Sequence, residues 1–178
     1  MFGMRGTAVT LGSLTLVVSS LVWAPAGWAG GGGHEAVTCT GSAQSRYDPP
    51  LTLLPQVTRN HADVRYTCTV GPGRTVEATG SFDSAPASVS CGSLSNGSGE
   101  ETVRYADGQR SVIAIDSTTT SRVAGVLTSF QSGRVTDGRG AGHHVRRTVV
   151  GRARQLPTDC LTSGLQGRES SVQLEILP

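Results

Sequence analysis

The stretch Glu101-Thr102-Val103-Arg104-Tyr105, followed by Ala106-Asp107-Gly108-Gln109 and then Arg110-Ser111-Val112-Ile113-Ala114-Ile115-Asp116, decides the fold. On both sides of an Asp-Gly pair, β-branched and aromatic residues alternate with polar ones, the period of a strand with two unlike faces. Asp107-Gly108 suits the positive φ angles of a type I′ turn, whose twist matches two antiparallel strands, so the stretch predicts a β-hairpin.

The same signature recurs on either side of the hairpin. Short alternating runs at 36–40, 51–54, 63–70, 75–82, 88–93, 123–130, 143–152 and 171–177 are bounded by Gly, Asp, Asn, Ser and Pro. In the last of them Val172, Leu174 and Ile176 alternate with Gln173 and Glu175, giving one buried and one wet face. No helical stripe appears after Ala36, and only Gln155–Ser163 admits a helical turn, with Thr158 or Asp159 as its cap. The predicted class is therefore all-β: an antiparallel β-sandwich or flattened barrel of about eight to nine strands, Ig-like in general architecture.

The first 29 of the 178 residues read as an export signal. Arg5 supplies a positive start, Ala8–Trp23 an uncharged apolar stretch and Pro25 a break, with the small residues Gly27 and Ala29 before the expected cleavage point. Residues 30–35 follow as a flexible glycine-rich segment, and 36–178 form one β domain. Both Trp and both Met fall in the leader, and the five aromatics left make a base-stacking or sugar-stacking platform improbable. All 15 basic residues are Arg; without Arg5 there are 14 against 13 acids, a balance near +1. So small a charge gives no general attraction to nucleic acid or to an anionic membrane.

Cys39, Cys68, Cys91 and Cys160 make an even number of cysteines in a chain read as exported, which predicts two disulfides. No two lie closer than 23 residues (91 − 68), so a zinc knuckle is absent and no metal site is expected. Of the three possible pairings, Cys39 with Cys68 and Cys91 with Cys160 is preferred, each joining neighbouring elements. With 20 glycines after the leader (24 − 4), the domain gains from such cross-links, each stabilising by about 3–4 kcal/mol.

No catalytic constellation emerges. His143 and His144 are adjacent and would point to opposite faces of a strand, so they cannot chelate one ion together. Ser95–Gly99 lacks the spacing of a nucleophile elbow, and Gly133–Gly142 lacks the ending of a phosphate loop and reads as a hairpin connection. The one local concentration of charge is Arg134, Arg139, Arg146, Arg147, Arg152 and Arg154, opposed only by Asp137. On an extended strand His144, Arg146, Arg152 and Arg154 share a face, a candidate ladder for an anion or acidic partner, or a charged strand that protects a sheet edge.

The runs Tyr47-Asp48-Pro49-Pro50-Leu51-Thr52, Thr102–Ser111, Gly133–Gly138, Cys160–Leu165 and Leu174–Leu177, with Cys39 and Gly97-Ser98-Gly99, together resemble small secreted actinobacterial proteins of uncharacterised function. The resemblance implies an exported, disulfide-bonded β domain and supplies no site residues. The functional expectation is a secreted, monomeric, non-catalytic module that binds an extracellular macromolecule or surface without a cofactor. The alternative is a small extracellular hydrolase or hydrolase inhibitor.

Overall fold

The computed structural model describes residues 36–92, 97–123, 126–151 and 158–178. The chain divides into Met1–Gly32 and Gly33–Pro178, and every described residue belongs to the second unit. The expected leader, its cleavage point and the segment 30–35 lie outside the described residues.

Among the described residues nine strands and one short helix follow in order: β1 (Val37–Leu51), β2 (Gln56–Gly71), β3 (Arg74–Ser84), β4 (Ala87–Val89), β5 (Gly99–Tyr105), β6 (Arg110–Val123), β7 (Val126–Gly138), β8 (His144–Gly151), α1 (Thr158–Leu161) and β9 (Leu165–Leu177). Hydrogen bonding runs β1-β9-β8-β7-β6-β5-β3-β2, and β2 pairs back onto β1. Eight antiparallel strands thus close into a barrel, with β4 added beside Gln56–Thr58 of β2. The all-β antiparallel expectation holds, but closure replaces the two stacked sheets of an Ig-like sandwich. Because β1 is bonded on both sides, to β2 and to β9, the eight-strand ring has no free edge.

Most strands are longer than their sequence signatures; β4 (expected over 88–93) and β8 (expected over 143–152) are shorter, and the run expected over 123–130 starts only at Val126 in β7. Residues 36–40 and 51–54, expected as two strands, fall in and around the single strand β1, which is irregular between Arg46 and Leu51, where the Asp48–Pro49 peptide is cis. Gly41 looks like a turn residue but is needed inside the strand: a Cβ there would lie 1.9 Å from the Arg65 carbonyl oxygen. The β5–β6 hairpin forms as expected with a different turn. Gly108 N–H donates to the Tyr105 carbonyl at 3.0 Å and Tyr105 N–H to the Gln109 carbonyl at 2.9 Å, with Gly108 at φ 85°. This is a three-residue loop closed by one left-handed glycine, not the two-residue type I′ turn.

Inward positions form the core. At one end of the barrel Val37, Cys39, Val103, Ile113, Val135, Val145, Leu174 and Ile176 are almost completely buried. The disulfides join Cys39 to Cys68 and Cys91 to Cys160, as preferred from the sequence. The first links register partners on β1 and β2; the second ties the segment after β4 to α1, which occupies the one place where a helical turn was expected.

Candidate functional site

Toward the other end the inward positions change character. Alternation on β1 brings Ala43, Ser45 and Tyr47 inward; β2 contributes Thr58, Asn60 and Ala62. These, with Phe82 from β3, Gln131 from β7, Arg147 and Val149 from β8 and Arg168 from β9, line a cavity of about 90 Å³ toward this end. An apolar wall carrying a few convergent polar groups is the usual composition of a small-molecule site.

Beneath the cavity lies a buried ion pair. The guanidinium of Arg147, 3% exposed, has its Nε 2.9 Å from Glu101 Oε2, and the Glu101 side chain is fully buried. Tyr66 donates its hydroxyl to Glu101 Oε1 at 2.8 Å, and Arg147 donates through Nη1 to Gln131 Oε1 at 2.5 Å. The guanidinium carbon also stands 5.0 Å from the Phe82 ring centroid, within cation–π range. Burial, reinforced by the charge of Glu101, pushes the Tyr66 phenol far above its ordinary range, so it remains a neutral donor. Burial acts against the charge on Arg147, but Glu101 and Tyr66 together outweigh it and hold the guanidinium protonated. Gly80 makes the room: a Cβ there would meet Glu101 Oε1 at 2.7 Å and Tyr66 at 3.0 Å.

Arg147 and Phe82 face the cavity, whereas Glu101 and Tyr66 stand behind them. Arg147 is therefore already neutralised, and its network serves as a floor. Arg168 is different. The ion pairs among the described residues join Arg46, His61, Arg74, Arg110, Arg139 and Arg147 to carboxylates, and none includes Arg168. Its Nε is buried without a hydrogen-bond partner, as are Thr58 Oγ1 and Asn60 Oδ1 around the same cavity, and Ser170 Oγ two residues along β9. Buried polar atoms are rarely left unpaired, so the convergence of Arg168, Thr58 and Asn60 on one space calls for something to occupy it. Tyr47 stands on the same wall; burial raises its phenol while Arg168 and Ser45 oppose the rise.

The ladder predicted from the sequence has a different setting. His144 and Arg146 lie exposed on the outer wall of β8, with Arg134 the register partner of His144. Arg146 faces Glu175 across the β8–β9 pairing, so part of its charge is opposed locally. Arg152 and Arg154 lie outside the described residues. Sequence reasoning passed over Arg147, Glu101 and Arg168 as functional candidates, although a signal was present: Val145-Arg147-Val149 and Glu101-Val103-Tyr105 place a charge in phase with buried apolar residues. Among the described residues no cluster of His, Cys, Asp or Glu has the arrangement of a metal site, and no helix is long and apolar enough to cross a membrane. Protein-family models, curated proteins and solved structures contain no match to this chain.

Proposed function

We propose that this protein is a secreted, non-catalytic binding protein that takes a small molecule into the cavity at this end of its barrel. The observation that carries the reading is the convergence of unpaired buried atoms, Arg168 Nε, Thr58 Oγ1 and Asn60 Oδ1, on a cavity whose wall also carries apolar surface from Ala43, Ala62, Phe82 and Val149. A closed barrel suits this role because eight hydrogen-bonded strands hold the lining rigid before the ligand arrives, which keeps the entropic cost of binding low. The two disulfides fit an extracellular setting, and the leader supplies the route of export. The outer ladder of His144 and Arg146 supports a second reading, contact with an acidic macromolecule, but Glu175 beside Arg146 weakens the local field.

Two-dimensional NMR of the isotope-labelled protein, titrated with a library of neutral and charged small molecules, separates the readings. Shifts are expected to cluster on Ala43, Ala62, Phe82 and Val149 and to vanish in an Ala62→Phe variant that fills the space while remaining folded. Shifts confined to the outer wall of β8 on addition of an acidic polymer, with none in the barrel, would replace the cavity reading by the surface one.

A further inference from the structure

Resting on the small-molecule reading above, we infer that the ligand is a small organic monocarboxylate whose carboxylate sits on Arg168 and whose apolar part points toward Phe82. The charge balance of the cavity motivates the sign. Arg147 and Glu101 cancel across 2.9 Å, and Arg168 adds one further guanidinium with no ion-pair partner among the described residues, so the lining carries a surplus of one positive charge. A half-buried cation with an unpaired Nε is held at a cost that an anion entering the same space removes.

The cavity's lining, with the guanidinium fork, suits a carboxylate that carries a short apolar chain. A guanidinium offers two parallel N–H groups that match the two oxygens of a carboxylate. The Thr58 hydroxyl, 3% exposed and unpaired, can donate to one of them. The cavity of about 90 Å³ is smaller than the roughly 150 Å³ void that takes up benzene, so it accommodates a chain of only a few carbons. Among the polar groups the wall also presents methyl and ring surface, from Ala62, Phe82 and Val149, which gains nothing from a fully hydrated anion such as phosphate. Gly151 completes the arrangement from β8, since a Cβ there would lie 3.2 Å from Arg168 Nη1 and crowd the guanidinium.

The test compares butyrate with butyramide, 1-butanol and inorganic phosphate by titration calorimetry and NMR on the whole protein. Butyrate is expected to bind at least about tenfold more tightly than butyramide or 1-butanol, a ratio equivalent to about 1.4 kcal/mol. The preference should disappear in Arg168→Gln and fall partway in Arg168→Lys, which keeps the charge and loses the fork. Because the wild-type comparison needs no variant, a misfolded Arg168→Gln leaves the inference open to refutation, and Thr58→Val offers a milder change expected to weaken butyrate severalfold. Equal binding of butyramide and butyrate in the cavity would overturn the carboxylate assignment while leaving the small-molecule reading intact. Phosphate binding in preference to butyrate would overturn it as well. Failure of all four probes would reject the monocarboxylate, and only an empty library screen as well would reject the barrel as a binding site.

Discussion

The two ends of the barrel are built from the same strands and filled by opposite rules. At the end closed by the β2–β3, β5–β6 and β7–β8 connections, inward positions carry Cys39, Cys68, Tyr105, Ile113, Val135, Leu174 and Ile176, which belong to one buried apolar cluster. At the mouth, the same strands turn Ser45, Thr58, Asn60, Gln131 and Arg168 inward, separated by small residues such as Ala43 and Ala62. The layer of Tyr66, Glu101 and Arg147 divides them. One end therefore supplies the apolar packing, while Thr58, Asn60 and Arg168 gather their unpaired atoms around the cavity at the other; at the closed end Arg139 Nη1 is likewise buried without a partner. A closed hydrogen-bond ring permits this because the backbone of the mouth is satisfied whatever its side chains do.

The dividing layer offers the sharpest way to break that comparison. Glu101→Gln preserves shape but leaves the Arg147 charge buried without its partner, and is expected to destabilise by about 3–5 kcal/mol in urea denaturation. A loss below about 1 kcal/mol would show that the layer does not anchor the packed end. Next comes the bridge at the closed end. Replacing both Cys39 and Cys68 with Ala is expected to cost about 2–4 kcal/mol, read as a lowered denaturation midpoint, because it frees a loop of 29 residues in the unfolded chain.

Substitution in the mouth reverses the sign. Thr58→Val and Ser170→Ala each remove a buried hydroxyl that lacks a partner, so each is expected to be neutral or stabilising by up to about 1 kcal/mol. A loss above about 1.5 kcal/mol in either would mean that the hydroxyl has a structural partner and that the mouth is organised for stability as well.

The smallest effect separates the ends by pH. Near the mouth His61 Nδ1 lies 2.7 Å from Asp83 Oδ1, and that hydrogen bond raises the imidazole pKa despite partial burial; the Asp83 and Asp63 charges add to the rise. A raised folded value means the contribution is complete below the unfolded value of about 6.5 and disappears as pH climbs through the folded one. At the closed end Asp107 accepts from Arg139 and Arg74 at 2.6 Å each, and the Arg139 hydrogen bond foremost lowers its carboxyl pKa. That contribution is present above the unfolded value of about 3.9 and is lost as pH falls through the lowered folded value. Thermal melts of His61→Gln and Asp107→Asn are therefore expected to flatten opposite limbs of the stability–pH curve. His61, 42% exposed, is open enough for salt to shrink its effect, whereas the Asp107 side chain, 16% exposed, is screened less.

How much of this was legible in the sequence depended on position along the same strands. In the packed end Val172-Gln173-Leu174-Glu175-Ile176 reads as a strand because one face must leave water. In the mouth Arg168-Glu169-Ser170 belongs to the same strand yet is polar on both faces, and alternation between two polar faces carries no period. For this reason β1, β2, β6 and β9 all extend beyond their sequence signatures. Arg147 was visible as one of six clustered arginines, but its direction required the phase of Val145 and Val149 to outweigh the expectation that charge faces solvent.

The sequence by itself determined the all-β class, the hairpin around Gly108, the helical turn at Thr158–Leu161 and a preferred disulfide pairing, because these depend on local backbone preference and on which cysteines lie in neighbouring elements. Only the tertiary structure decided that β1 pairs with both β2 and β9, which closes the sheet. It alone joined Glu101, Tyr66 and Arg147 from three strands and gathered Thr58, Asn60 and Arg168 around one cavity. The physical reason is that alternation fixes which face a side chain takes, while register around the closed ring fixes which distant side chains share it, and register is a property of the strands together.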